Sequence, residues 1–387
     1  MTDPIYLDYN ATTPVAPEVL DAMLPWLREQ FGNPSSTHAY GRRAAQAVAN
    51  ARRQVADLIG AKPHEIVFTG CATESNNLAL LGTARAMIEN GTSKRHIVIS
   101  AVEHPAVMAP AMQLRAQGWH VTVLPVDAFG QVSAEQLVKV LRDDTAFVSI
   151  MHANNEVGTL QPIPEIASVT RQRGILSHTD AAQSAGKVPL NVDALGVDLL
   201  TLAGHKFYAP KGIGALYVRE GTPILSVLHG ADQEHGLRPG TENVAAIVAL
   251  GAAAALANTS LETMAAHMLT LRNQLHQELI AAIPGVQLNG HPEQRLPNTL
   301  HVSFPGVSGR LLLAEVADVL AASVGSACHS EHDTVSGVLA AMGVDAARAA
   351  GAVRLSVGRM TTSDEIKRAA KSLVMSHSRT QTNNRRG

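Results

Sequence analysis

Lys206 is the residue whose setting most strongly suggests covalent chemistry. It follows the apolar, strand-like run 199–203 and precedes a loop that contains Pro210, Gly212 and Gly214. Most lysines are solvated surface charges, but burial beside apolar strands disfavours the charged amine and lowers its pKa. The neutral amine that results can form a Schiff base with an aldehyde.

Asp180, Gln183 and Thr73 could hold an aldehyde cofactor next to such a lysine. Asp180 ends a strand-like run, where its carboxylate could pair with a protonated pyridine nitrogen, and Gln183 could donate to a ring hydroxyl. Thr73 lies at the start of a predicted helix, where backbone N–H groups bind phosphate. Each feature alone is also explained by helix capping. Together with Lys206 they favour a phosphorylated pyridine aldehyde.

His104 and Cys328 are candidates for proton transfer and nucleophilic attack. The His104 ring could stack on a pyridine and its near-neutral pKa suits proton transfer, although a structural role is the common alternative. Cys328 lies among glycine, serine and the histidines His329 and His332, which predicts an exposed loop and a reactive thiol. A metal site built from these three residues is disfavoured, because no distant second ligand set accompanies it. Cys71 is expected to be a small buried residue.

Arg354 opens an apolar run near the end of the chain. Its guanidinium fork could bind a substrate carboxylate in two hydrogen bonds. The alternative is an ion pair on the surface.

The elements that must position these residues follow an α/β pattern. Apolar runs at 97–100, 121–126, 146–151, 175–180, 199–203 and 214–218 alternate with helical segments such as 44–59 and 74–90. This alternation predicts a mainly parallel sheet covered by helices, over a large domain at 15–260. Residues 1–14 and 261–375 should form a smaller α+β domain, with a strand at 298–304, a helix at 311–321 and a last helix opened by a Thr362–Glu365 capping box. The polar tail 376–387 is predicted to be disordered.

Composition limits the class of protein. The chain has 387 residues, 46% of them hydrophobic, a formal net charge of -2 and two cysteines. These values predict neither a disulfide framework nor binding to nucleic acid. The apolar run 244–257 is shorter than the roughly 20 residues that span a bilayer and predicts a buried helix. With no signal pattern in residues 1–9, we expect a cytoplasmic protein with no membrane partner.

Ten short motifs then point to one family. They are DYNATTP at 8–14, GNPSS at 32–36, TESNN at 73–77, EH at 103–104, NNE at 154–156, HTDAAQS at 178–184, GHK at 204–206, RPGTEN at 238–243, GSAC at 325–328 and RLS at 354–356. Over nearly its whole length the sequence resembles the NifS/IscS-like cysteine desulfurases and the related selenocysteine lyases. The resemblance implies the fold of type I pyridoxal 5'-phosphate (PLP) enzymes and a homodimer.

The resemblance also implies residue roles. It assigns catalysis to Cys328, Lys206 and His104, cofactor binding to Lys206, Ala72, Thr73, His104, Asn155, Asp180, Gln183, His205 and, from the other subunit, Thr241, and substrate binding to Arg354, Asn155 and Asn10. No metal is implied. Two positions depart from the family pattern, since Ala203 replaces a common serine and Cys71 a common glycine. Both could change the affinity for PLP.

The implied reaction converts L-cysteine to L-alanine, with a persulfide on Cys328 that passes to a sulfur-acceptor protein such as an iron–sulfur scaffold. A selenocysteine lyase is the alternative, because the sequence around Cys328, with His332, resembles animal selenocysteine lyases, and Ala203 favours the same reading. An inactive PLP-binding scaffold is disfavoured, because Lys206, His104, Cys328 and Arg354 are all present.

Overall fold

The structure is a computed structural model that describes residues 3–325 and 336–384. Its helices are α1 Pro17–Arg28, α2 Ala39–Ile59, α3 Ala72–Asn77, α4 Thr83–Glu89, α5 Pro105–Ala116, α6 Ala134–Val140, α7 Ile163–Gln172, α8 Val192–Leu195, α9 Val244–Ala282, α10 Gly309–Glu315, α11 Gly337–Ala341, α12 Ala346–Ala350 and α13 Ser363–Asn384. Its strands are β1 Ile5–Tyr6, β2 Ile66–Thr69, β3 His96–Ser100, β4 His120–Leu124, β5 Thr145–Ser149, β6 Leu176–Asp180, β7 Leu199–Ala203, β8 Gly214–Val218, β9 Gln287–Leu288, β10 Thr299–Ser303, β11 Leu320–Ala321 and β12 Ala352–Ser356.

A seven-stranded sheet in the order β2, β8, β7, β6, β5, β3, β4 forms the centre of the molecule. Strands β4, β3, β5, β6 and β7 pair in parallel, whereas β8 is antiparallel to both of its neighbours. Strands β3, β5 and β7 are buried along their whole length, which explains their continuous apolar runs. The predicted mainly parallel sheet is confirmed.

The long helix α9 is part of the core. By length and composition it could cross a membrane, but 56% of its most apolar 18-residue stretch is buried inside the structure. It packs against α1, α2 and α13. The contact with α2 is close at Gly251, where an added Cβ would lie 2.7 Å from the Cβ of Ala51. The predicted buried helix at 244–257 is confirmed as the first part of α9.

A second, three-stranded antiparallel sheet in the order β12, β10, β9 packs against helices α9, α10 and α12. The N-terminal strand β1 pairs in parallel with β11. The predicted strand at 298–304 is confirmed as β10, and the predicted capping box is present, because Thr362 N donates to Glu365 Oε2 at 2.8 Å. Residues 8–14 connect this part of the molecule to the central sheet, since Asp8 bridges to Ser356 and Thr13 N donates to His205 O.

Two predictions about the C-terminal half are wrong. The helix predicted at 311–321 ends at Glu315, because the backbone at 319–321 pairs instead with β1, with Ile5 N donating to Val319 O at 2.8 Å. The tail from Ser376 is not disordered as far as the structure describes it, since α13 continues to Asn384. Buried polar side chains hold this last part, as His377 Nε2 bonds Pro305 O at 3.0 Å.

Candidate active site

A cavity of about 440 Å³ lies at the edge of the central sheet where β6 and β7 end. Parallel strands bring their carboxyl ends to one edge, which is where ligands bind in such sheets. The sequence-predicted residues that line the cavity are Asn10, Ala72, Thr73, His104, Asn155, Asp180, Gln183, His205, Lys206 and Arg354. Residues far apart in the sequence therefore meet at one site.

Lys206 is carried by a short 3₁₀ turn that follows β7 directly. Its Nζ donates to the backbone oxygens of Asn10 at 2.6 Å and Ala11 at 2.8 Å. Burial and the nearby Arg354 lower its pKa to about 8, while Asp8 and Asp180 act in the opposite direction. The neutral amine, which is the nucleophilic form, is thus accessible close to neutral pH.

Asp180 is the last residue of β6 and is buried. Its Oδ2 accepts from Asn76 Nδ2 at 2.7 Å and its Oδ1 accepts from the backbone N–H of Ala182 at 2.9 Å. These two donors hold the carboxylate in place at the cavity wall. Asn76 belongs to the TESNN motif, but its role could not be predicted, because the sequence does not show that its side chain meets Asp180.

Thr73 and Ala72 open α3, so the first backbone N–H groups of that helix have no intrahelical acceptor. His205 adds a ring beside them, with Nδ1 3.1 Å from Thr12 Oγ1. Burial and the positive charge of Lys206 lower the pKa of His205 to about 4, so the ring is neutral. This end of the cavity offers neutral donors of the kind that bind phosphate.

Cys71 and Ala203 line the same cavity. The expectation that Cys71 is buried is wrong, because it occupies the N-cap position before α3 and its side chain is exposed. Ala203, at the end of β7, provides no hydroxyl where the family often has one.

His104 both caps a helix and faces the cavity. Its Nδ1 accepts from the backbone N–H of Ala106 at 3.1 Å, at the start of α5. Burial lowers its pKa, with Asp180 opposing and Lys206 reinforcing that shift. Because Nδ1 accepts a hydrogen bond, the proton of the neutral ring lies on Nε2. His104 can therefore cap α5 and face a ligand in the cavity at the same time.

Arg354 on β12 is buried, which excludes the surface ion pair considered above. Its Nη1 donates to Asn155 O at 3.0 Å and its Nη2 to Asp8 Oδ1 at 2.8 Å. Among the described residues its Nε has no hydrogen-bond partner. A buried N–H without an acceptor is costly, and Nε is a donor that the described residues leave unused.

Asn10 has little free capacity to bind substrate. Its Nδ2 donates to Asn155 O at 3.2 Å and to Thr299 Oγ1 at 2.9 Å, which occupies both hydrogens. Its Oδ1 accepts from Asn298 Nδ2 at 2.9 Å. The structure thus shows Asn10 mainly as a link between the two sheets, and its assignment to substrate binding stays a prediction.

One predicted residue, Thr241, is not among the residues that line this cavity. Thr241 is exposed and lines a separate surface pocket with Leu228 and Pro239. Cys328, with the neighbours His329 and His332, lies outside the described residues. Gly325, which precedes that segment, does line the cavity.

Glu103 is a cavity residue for which the sequence offered no role. Its Oε1 accepts from Ser100 Oγ at 2.5 Å and from Met151 N at 2.8 Å, while its Oε2 has no partner among the described residues. Burial raises its pKa from 4.5 to about 8, so it is a neutral acid at pH 7. The sequence does not predict this raised pKa, because a buried glutamate and an exposed one cannot be told apart from residue type alone.

Glu103→Gln should change the pH dependence of stability. In the unfolded chain the Glu103 carboxyl ionises near pH 4.5, whereas in the folded chain it keeps its proton until about pH 8. Wild-type stability should therefore fall relative to the variant as pH rises from about 4.5 to 8, and the difference should be constant above 8. Thermal unfolding of both apo-proteins between pH 5 and 9 measures it. A pH-independent difference between them would contradict the buried neutral acid.

Comparison with known proteins identifies the family. The profile of the aminotransferase class-V family matches residues 5–369. A cysteine desulfurase IscS of Dictyoglomus turgidum is 46% identical over 363 residues, which cover 94% of this chain and 91% of the relative. A cysteine desulfurase IscS of Methanosarcina thermophila is 47% identical over 365 residues, covering 94% of this chain and 89% of the relative.

Solved structures agree with these relatives. A NifS-like protein superposes with a TM-score of 0.90 at 38% identity, covering 97% of this chain and all (100%) of that one. The structure of SspA in complex with cysteine superposes with a TM-score of 0.82 at 37% identity, covering 93% of this chain and 100% of that one. The predicted fold class is confirmed. This chain belongs to the aminotransferase class-V family and, within it, to the NifS/IscS-like cysteine desulfurases.

Proposed function

We propose that the protein is a PLP-dependent cysteine desulfurase that converts L-cysteine to L-alanine and leaves a persulfide on Cys328. The observation that supports this most directly is the convergence of Lys206, Asp180 and Arg354 on one cavity. Close relatives are named cysteine desulfurases, and a structural neighbour was solved with cysteine.

The residues of the cavity fit PLP. Asp180 provides an oriented carboxylate for a protonated ring nitrogen, and Lys206 provides a half-buried amine of lowered pKa. The start of α3 and the neutral His205 provide donors for the phosphate. PLP, when bound, supplies an aldehyde for amines and a ring that withdraws electrons from the substrate Cα.

Arg354 would bind the substrate carboxylate. Its two Nη atoms are held by Asn155 O and Asp8, and its Nε has no partner among the described residues. A guanidinium held in this way needs little reorganisation to accept a carboxylate. The buried positive charge of Arg354 also helps to lower the pKa of Lys206.

Lys206 and Cys328 would perform the bond-breaking steps. The Lys206 amine takes the Cα proton, which it can do because its pKa is near 8. The Cys328 thiolate attacks the substrate sulfur, so that an S–S bond forms while the Cβ–S bond breaks and its electron pair stays with the carbon skeleton. Protons returned to Cβ and Cα complete L-alanine, and the atoms balance as cysteine plus thiol giving alanine plus persulfide.

The proposal extends to assembly and partners. We place the protein in the cytoplasm as a homodimer in which Thr241 reaches the partner subunit's cavity. In support, Thr241 is exposed and lies away from the cavity of its own chain. The persulfide would then pass to a sulfur-acceptor protein, an iron–sulfur scaffold being one such acceptor.

Substrate choice is tested by measuring alanine formation from L-cysteine and L-selenocysteine side by side. The PLP-loaded protein is assayed with a reductant that clears the Cys328 adduct, because an uncleared persulfide stops turnover. We expect turnover with L-cysteine. No turnover with L-cysteine beside fast release of alanine from L-selenocysteine would make the protein a selenocysteine lyase. No alanine from either substrate would contradict both.

Cys328→Ser tests the identity of the nucleophile. The hydroxyl cannot form a persulfide, so alanine formation from L-cysteine should fall by a factor of about 10³ or more, as when other enzymes lose their nucleophile. The absorbance of bound PLP should be unchanged. Cys71→Ser is the matched control, because it removes the other thiol and should still form a persulfide. Persulfide that disappears from Cys71→Ser and persists in Cys328→Ser would reverse the assignment.

A further inference from the structure

Lys187 is a buried lysine that none of the steps above uses. It follows β6 in the chain, is only 4% exposed, and does not line the cavity. Its Nζ donates to Gln183 Oε1 at 3.0 Å. In the described part of the chain no ion pair joins it to a carboxylate.

The surroundings of Lys187 disfavour the positive charge of its amine. Burial holds its pKa well below the usual range, and the positive charges of Lys206 and Arg354 act in the same direction. A charged lysine would need a counter-ion at this depth, whereas a neutral amine needs only an acceptor for its N–H groups. Gln183 Oε1 is such an acceptor.

The contacts of Gln183 define the orientation of its amide. Lys187 donates to Oε1, and Nε2 donates to Asn10 O at 2.9 Å. The opposite orientation would point an N–H₂ group at the amine and an oxygen at a carbonyl oxygen. Gln183 Nε2 therefore donates one hydrogen to Asn10 O and has a second hydrogen without an assigned acceptor. Because Gln183 lines the cavity, this second hydrogen can be donated to a ligand there.

We propose that Lys187 is a positioning residue that locks the Gln183 amide with its N–H₂ group toward the cavity, so that it donates to the ring oxygen of bound PLP. The inference rests on the proposed function, because it needs PLP in this cavity. Without Lys187, Oε1 is a buried acceptor without a partner, and the amide keeps only the Asn10 O contact to hold its orientation. A turned amide would point its oxygen at the ring oxygen, which repels it. Lys187 thus acts through Gln183.

The test is a double-mutant cycle of Lys187→Met, Gln183→Met and the double variant, read out by PLP binding. Apo-protein is titrated with PLP, and the pH midpoint of the bound cofactor's absorbance is then measured. Lys187→Met should weaken PLP binding by about tenfold, as for one lost hydrogen bond to a charged acceptor. The pH midpoint should rise in Lys187→Met, because a hydrogen bond donated to the ring oxygen favours its ionised form and this bond is weakened. The double variant should bind no worse than Gln183→Met.

Controls separate positioning from general damage. Lys139→Met removes an exposed lysine from α6 and should leave PLP affinity and the pH midpoint unchanged. Thermal unfolding of each apo-variant checks the fold, and Lys187→Gln, which keeps a donor, replaces Lys187→Met if the latter fails to fold. In that variant the midpoint should lie between those of wild type and Gln183→Met.

Three results would overturn the inference. One is a Lys187 variant with wild-type affinity and midpoint, and another is a double variant in which the two losses multiply, because independent effects mean that Lys187 does not act through Gln183. The third is a wild-type protein that takes up no PLP, which would overturn the proposed function as well and is distinguishable from the first two.

Discussion

The site depends on one buried residue, Asn10, which joins the N-terminal segment to both sheets. It is 1% exposed, and its backbone oxygen accepts from Lys206 Nζ at 2.6 Å and from Gln183 Nε2 at 2.9 Å. Its backbone N donates to Ser356 Oγ on β12 at 2.9 Å, and its side chain bonds Asn298 and Thr299. A buried network of this kind is stable only when every member finds its partners. The second sheet is thereby held against the edge of the first.

This arrangement explains how a carboxylate, an amine and a guanidinium come to share one cavity. The central sheet contributes Asp180 and Lys206 from the ends of adjacent strands, and the second sheet contributes Arg354. Burial and the positive charge of Arg354 lower the pKa of Lys206, while Asp180 opposes that shift. The neutral Glu103 at the same wall lines the cavity without adding a second negative charge beside Asp180. The amine is thus tuned by its surroundings and not by its own sequence neighbours.

Much of the fold could be predicted from the sequence, and the reason is physical. Strands buried on both faces read as uninterrupted apolar runs, so β7 was found at its observed bounds, 199–203. Segments that are buried through polar side chains do not produce apolar runs. The last part of α13 is held by hydrogen bonds of Ser376, His377 and Thr380, which resemble a solvated tail in sequence. A prediction based on apolar residues therefore ends α13 too early.

The residues of the candidate site also fall into two groups, those that the sequence predicts and those that it does not. Lys206, Asp180 and Arg354 were predicted because their residue types and motifs indicate chemistry, and the structure places all three at one cavity. Glu103 and Lys187 could not be predicted, because a buried acid and a buried amine differ from exposed ones only in their surroundings. Their roles follow from desolvation, which only the folded chain supplies.

Covalent capture of PLP identifies the lysine that forms the Schiff base. PLP-loaded protein is reduced with borohydride, which converts a Schiff base into a stable amine, and the labelled peptide is then located by mass spectrometry after digestion. We predict that the label lies on Lys206. A label on Lys187, a buried lysine near the site, or no covalent label on a protein that holds PLP, would contradict this assignment.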